Sequence, residues 1–179
     1  MTKPQHIMLD LETLGTRPGS IVLTIGAVKF DRGGVRDKFY TAICEADSSA
    51  NGLSSDPSTV EWWQKQSAEA REAAFAGTDS LRDALEAFSE FCNKDAPLGV
   101  AIWGNGSDFD NVLLEAAYRA VGMEPPWRFT GNRCYRTVKN LFPDVWVDPV
   151  GTAHNALDDA TYQANNLIAI SNLYGFDLA

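Results

Sequence analysis

Two strand-forming runs, Ile21 to Phe30 and Val35 to Ile43, are joined only by Asp31-Arg32-Gly33-Gly34. A connection that short, with two adjacent glycines, reverses the chain, so the two runs pair as an antiparallel hairpin. A third run, His6 to Leu11, precedes them. Beyond residue 57 the pattern turns helical and is interrupted by one more strand signal, Gly99 to Trp103, an apolar stretch bounded by turn residues. Such a stretch reads as a strand buried on both faces. A hairpin that leads into α/β alternation predicts an α/β chain in three layers, with a mixed central sheet and helices on both faces. At 179 residues, 45% of them hydrophobic, the chain has the size and apolar content of a single domain with a full core, and its composition excludes disorder.

The helical half divides at its own punctuation. Pro57 opens a helix at its first turn and carries Glu61-Trp62-Trp63, followed by the Ala-rich stretch Ala68 to Ala76. A longer helix from Ser80 to Asn93 puts Leu81, Leu85, Phe88 and Cys92 on one stripe, leaving a charged opposite face. Another begins near Ser107 and stops at Gly122, before the Pro125-Pro126 break. Arg128 to Thr130 is expected to be extended, and Cys134 to Phe142 reads as a short helix ended by Pro143. The last helix runs from about Asn155 to Tyr174, buries Leu157, Ala160, Ala164, Leu167 and Ser171, and ends at Gly175. Glu45 to Pro57, rich in Ser, Asp, Asn and Gly, reads as a loop.

Charge narrows the function classes. Fifteen Lys and Arg against 24 Asp and Glu give a net charge of −9, which weighs against binding driven by counterion release along duplex DNA and against docking on an anionic membrane. No run is long enough to span a bilayer, and the lead-in Met1 to Gln5 has no apolar signal core. Cys44, Cys92 and Cys134 have neither CxxC nor other metal-ligand spacing, so a reducing, cytoplasmic setting is expected.

The acidic residues carry the chemistry. Asp10 and Glu12 stand two apart at the end of an apolar strand, so their side chains share one face. Two carboxylates buried there without a cation would be costly, and oxygen donors suit Mg²⁺ or Mn²⁺. A lone D-x-E more often begins a solvated loop. Two further elements shift that balance. Asp108 and Asp110 open the helix after the Gly99 to Trp103 strand, where each could also serve the helix dipole. His154 lies just before the last helix, with Asp158 and Asp159 inside its first turns. The chain has only two histidines, His6 and His154, and His154 is the better placed for acid–base work.

In order and setting, Asp10-Leu-Glu12-Thr, Phe109-Asp110 and His154 with Asp159 resemble the three exonuclease motifs of the DEDDh group. These are 3′–5′ exonucleases of the ribonuclease H-like fold, and the resemblance spans almost the whole chain. Trp62-Trp63, Trp103-Gly-Asn-Gly106 and the compact length look like the branch of small bacterial 3′–5′ exoribonucleases and phage exonuclease VIII-like enzymes. The resemblance implies a single exonuclease domain over 1–179 with a sheet of five or six strands. It also implies a two-metal-ion hydrolysis, with Mg²⁺ or Mn²⁺, that releases nucleoside 5′-monophosphates from single-stranded DNA or RNA 3′ ends.

Carried over residue by residue, the metal ligands are Asp10, Glu12, Asp110 and Asp159, and His154 is the general base. Asp110 is chosen over Asp108 because it follows Phe109, and Asp159 over Asp158 by its distance from His154; Asp108 is then left to the helix N-terminus or solvent, and Asp158 to solvent. Thr13, Leu14 and Gly15 would meet the terminal nucleotide, with Leu14 as its wedge. Asn105, Phe109 and Trp63 complete the implied substrate contacts; of the two adjacent tryptophans either one packs in the core and the other stacks on a base, or both are partly buried in packing. Arg128, Arg133, Arg136 and Lys139, a basic run in an acidic chain, are candidates to guide the phosphate backbone. Members of the group often form homodimers. Two competing readings are a module that chiefly binds a protein partner and a phosphodiesterase specific for dinucleotides.

Overall fold

The computed structural model describes residues 5–93, 99–149 and 151–178; Met1 to Pro4 of the lead-in lie outside them. The first three strands are β1 (Gln5–Thr13), β2 (Val22–Asp31) and β3 (Gly34–Ala42). As the short turn requires, β2 and β3 pair antiparallel, and β1 pairs antiparallel to β2 with Asp10 opposite Gly26. After four helices the chain returns as β4 (Val100–Gly104), parallel to β1, and β5 (Asn132–Cys134), parallel to β4. The sheet therefore has five strands in the order β3-β2-β1-β4-β5, a mixed sheet with β1 at its centre.

Alternation along β1 assigns its two faces. Ile7, Leu9 and Leu11 enter a large core with Leu81, Leu85 and Phe88 of α4 (Leu81–Asn93) and Leu113 and Leu114 of α5 (Asp110–Ala120). Met8, on the opposite face, packs in a second core with Val28, Trp103, Tyr135 and the Ala160-Ala164-Leu167 stripe of α7 (Ala156–Tyr174). Asp10 and Glu12 share the parity of Met8 and so point toward α7. That helix lies unusually close to the sheet: a Cβ on Gly26 would stand 2.1 Å from the Ala156 carbonyl carbon. Glycine at this position is what lets the first turn of α7 rest on β2 beside Asp10.

The predicted helix signals hold at most positions. Asp56 caps α2 (Pro57–Trp63) by accepting from the Ser58 amide, with Pro57 at its first position, and Gly175 ends α7 in the left-handed conformation at φ 71°. Ser67 caps the Ala-rich α3 (Ala68–Phe75). Three expectations need correction. The supposed loop from Glu45 contains a short helix, α1 (Glu45–Ala50), tied down when Asp47 accepts from Asn51 and from the Leu81 amide. The helix expected from Ser107 begins at Asp110, because Gly106 at φ 109° and Phe109 at φ −117°, ψ −83° shape a turn before it. Arg128 to Thr130 is not a strand: Phe129–Gly131 form a 3₁₀ turn, and the extended residues are Asn132–Cys134, feeding α6 (Tyr135–Leu141).

Among the described residues no helix is long and apolar enough to cross a membrane. The three cysteines are all free.

Candidate metal centre and nucleic-acid cleft

At the carboxyl ends of β1 and β4 the strands stop beneath a cleft of about 620 Å³. Its walls come from β1, α2, the turn before α5, α6 and α7, and Asp10, Glu12, His154 and Asp159 all line it. Asp110, 2% exposed, lies just below, where its Oδ1 accepts from the Leu11 amide at 3.3 Å. Glu12, His154 and Asp159 each turn a ligand atom to within 4.8 Å of the other two. The fold thus gathers carboxylates from three distant segments of the chain.

Burial shows in the proton affinities of all four, and mutual repulsion adds to it for Asp10 and Glu12. Burial raises the Asp10 carboxyl well above its usual range, and Asp110, Glu12 and Asp159 push it further. Glu12 is pushed up to about 8, first by burial and then by Asp159 and Asp110. Burial takes Asp110 to about 7, although the Leu11 amide opposes the change, and it also raises Asp159. Counter-charge is sparse: none of the ion pairs formed among the described residues involves these four carboxylates. Asp110 Oδ2 is buried with no hydrogen-bond partner. Orphaned buried acceptors and uncompensated carboxylates are what a cation site looks like without its cation. Oxygen donors and one imidazole suit a hard divalent ion.

His154 is held in the left-handed region at φ 63°, an uncommon conformation for a residue other than glycine. Two contacts keep it there. Its amide donates to Asp159 Oδ2 at 3.0 Å, and its ring meets the edge of Trp62 at 5.0 Å and 87°. The strained turn aims the imidazole into the cleft just before Asn155 caps α7.

Several residues implied as substrate contacts line the cleft, namely Thr13, Asn105 and Phe109. Others are placed differently. Leu14 is 1% exposed and belongs to the large core, so it cannot wedge against a nucleotide from this position. Gly15 is not among the residues that line the cleft, and a Cβ there would stand 2.4 Å from Ser20 Oγ. Trp63 touches the cleft wall but is 2% exposed, and its Nε1 donates to the Thr13 carbonyl at 2.9 Å, so it fixes the strand end from within the core. Its neighbour Trp62, 40% exposed, offers the open aromatic surface. Asp108 is exposed as expected, whereas Asp158 accepts from the Thr152 amide.

The basic run does not form one track. Lys139 lines the cleft, and Arg136 hydrogen-bonds the Asn105 carbonyl. Arg128 and Arg133 line a separate hollow beside Gly99 to Ala101, near the start of β4. Sequence reading missed Tyr162 and Gln163, which also line the cleft. They follow Asp159 by three and four residues on one helix face, a spacing that does not by itself separate a face toward the cleft from one toward solvent.

The mixed five-stranded sheet with a carboxylate–histidine cluster at its strand ends is an α/β domain with a candidate metal centre. Similar solved structures share the fold. The nuclease domain of 3′hExo, a DEDDh family member bound to rAMP, superposes with a TM-score of 0.61 at 12% identity, covering 96% of this chain and 92% of that one. Exonuclease X in complex with 5′ overhanging duplex DNA gives 0.57 at 19% identity, covering 96% and 93%. Product-bound exonuclease I gives 0.59 at 17% identity; 98% of this chain aligns, but it spans only 44% of that enzyme. No curated protein matches the sequence. The chain belongs to the family of the Rv2179c-like 3′–5′ exoribonuclease domain, which matches residues 5–171.

Proposed function

We propose that this protein is a 3′–5′ exoribonuclease that removes nucleoside 5′-monophosphates from single-stranded RNA 3′ ends, using two Mg²⁺ or Mn²⁺ ions. The observation that carries the reading is the cluster of Asp10, Glu12, Asp110 and Asp159, raised together in proton affinity and engaged in none of the ion pairs formed among the described residues. Those four residues would hold the ions, which supply the positive charge that a phosphodiester needs to accept a nucleophile and release its 3′ oxygen. The family description favours RNA as the polymer, and rAMP in the 3′hExo structure is a monophosphate of the expected product type.

The chain's own groups perform the remaining tasks. His154 takes the proton from the attacking water, and the Asp159 carboxylate that binds its amide keeps the strained turn in place. Trp62 gives the terminal base an aromatic face beside the imidazole. Lys139, which lines the cleft, meets a backbone phosphate. The pairing of a cation-hungry floor with one basic wall also explains how a chain of net charge −9 engages a polyanion.

The test is a time course on 5′-labelled single-stranded RNA and DNA of one sequence, with Mg²⁺ or Mn²⁺, a chelator control and Asp10→Ala. The expected result is a ladder shortening from the 3′ end, faster on RNA and abolished by chelator and by the variant. No shortening of either polymer with either ion would overturn the reading. Cleavage of dinucleotides alone would replace it with a dinucleotide phosphodiesterase.

A further inference from the structure

Gln163 stands one turn beyond Asp159 on α7 and is 4% exposed. Its Nε2 donates to Asp10 Oδ1 at 2.7 Å, while its Oε1 is buried without a hydrogen-bond partner. As packing this is a poor arrangement, because the amide satisfies one atom and strands the other, where an apolar side chain of equal length would strand neither. The fold tolerates that loss beside the one residue the amide contacts.

Asp10 needs such a contact. It is opposed by the charges of Asp110, Glu12 and Asp159, and the Gln163 amide is the side-chain donor that counters them. The placement is built into the sheet. Asp10 pairs with Gly26, and the missing Cβ of Gly26 lets Ala156 lie against β2, so that α7 brings Asp159 and Gln163 down beside the strand end.

We propose that Gln163 is a positioning residue: by engaging Oδ1 of Asp10 it fixes the carboxylate's orientation, leaves Oδ2 for a cation, and thereby sets the cation affinity of the cluster. This rests on the reading of the cluster as a divalent-metal site. Partners that orient a ligating side chain characteristically govern metal affinity while contributing little to the fold, and their loss weakens binding roughly 10–100-fold.

The experiment measures Mn²⁺ binding by electron paramagnetic resonance for the wild-type protein and Gln163→Met, with thermal melts of both in excess chelator. The expected result is Mn²⁺ affinity lower by roughly tenfold or more, with the chelator melting temperature unchanged or higher. Nuclease activity of the variant should be depressed at limiting Mg²⁺ and recover as Mg²⁺ is raised. If Gln163→Met does not fold, Gln163→Asn, which keeps the amide but withdraws it from Asp10, is held to the same criterion. Wild-type affinity in a folded variant overturns this inference alone, as does a lowered melting temperature with unchanged affinity. Absence of Mn²⁺ binding to the wild-type protein overturns the metal-site reading, and this inference with it.

Discussion

Replacing Glu12 with glutamine should stabilise the metal-free protein at pH 8 while ending its catalysis. Glu12 is 7% exposed, and its carboxyl is raised from an ordinary 4.5 to about 8 by burial, Asp159 and Asp110. In the unfolded chain the group ionises near 4.5, so between there and about 8 the native state binds a proton that the unfolded state does not. Stability therefore falls as pH rises through this window and levels off above it. At ~1.4 kcal/mol per pH unit, the interval sets a ceiling of about 5 kcal/mol on the loss, which side-chain movement and entering water reduce. Glutamine keeps the shape and removes the charge. A domain of this size gains ~2–4 °C per kcal/mol, so the variant should melt on the order of 5–10 °C higher in chelator at pH 8, with a much smaller gap at pH 5. Added Mg²⁺ should raise the wild-type melting temperature and narrow the gap, since the ion binds the native state and neutralises the same charge. The assay is circular dichroism melting of both proteins at the two pH values, with and without Mg²⁺. A variant that melts at or below the wild type in chelator at pH 8 would refute the argument that this carboxylate is held against its own electrostatics.

The two adjacent tryptophans should separate cleanly. Trp63→Ala empties a core site and removes the bond to the Thr13 carbonyl, for a loss of roughly 3–5 kcal/mol by denaturant unfolding. Trp62→Ala should leave unfolding almost unchanged and raise KM for RNA, as steady-state kinetics would show. Gly26→Ala places a methyl group inside the Ala156 backbone, and is expected to lower the melting temperature and the activity together by lifting α7 from β2. For His154, asparagine tolerates the left-handed backbone, whereas valine does not. His154→Asn should lose turnover with little change in melting temperature, and His154→Val should lose both.

The parts of this molecule that a one-dimensional pattern can encode were legible. Two-residue periodicity put Asp10 and Glu12 on one face of β1, and the Leu81-Leu85-Phe88-Cys92 stripe gave the buried side of α4. Capping residues such as Asp56 and Gly175 marked helix ends because their effect is local. What was not legible depends on contacts between distant segments. The α1 helix is secured by Asp47 reaching Leu81, a partner no window around residue 47 contains. Leu14 was expected at the substrate because it follows the Asp10–Glu12 pair, and Trp63 because two adjacent tryptophans on a helix cannot both face one core, yet both are buried, and sequence does not reveal which side of a turn or which tryptophan of a pair meets the core. Gln163 was overlooked because a glutamine in an amphipathic helix ordinarily signals solvent, and only its meeting with Asp10 gives it a role.

The carboxylate cluster also has an order in time. A ribosome makes Asp10 and Glu12 near the start of the chain, Asp110 well past its middle, and Asp159 only on α7, the last helix described. Until that helix emerges and settles against Gly26, the growing chain has neither His154 nor its fourth carboxylate in place. Of the five groups that make up the site, Asp159 on α7 and His154 just before it are therefore the last two to join.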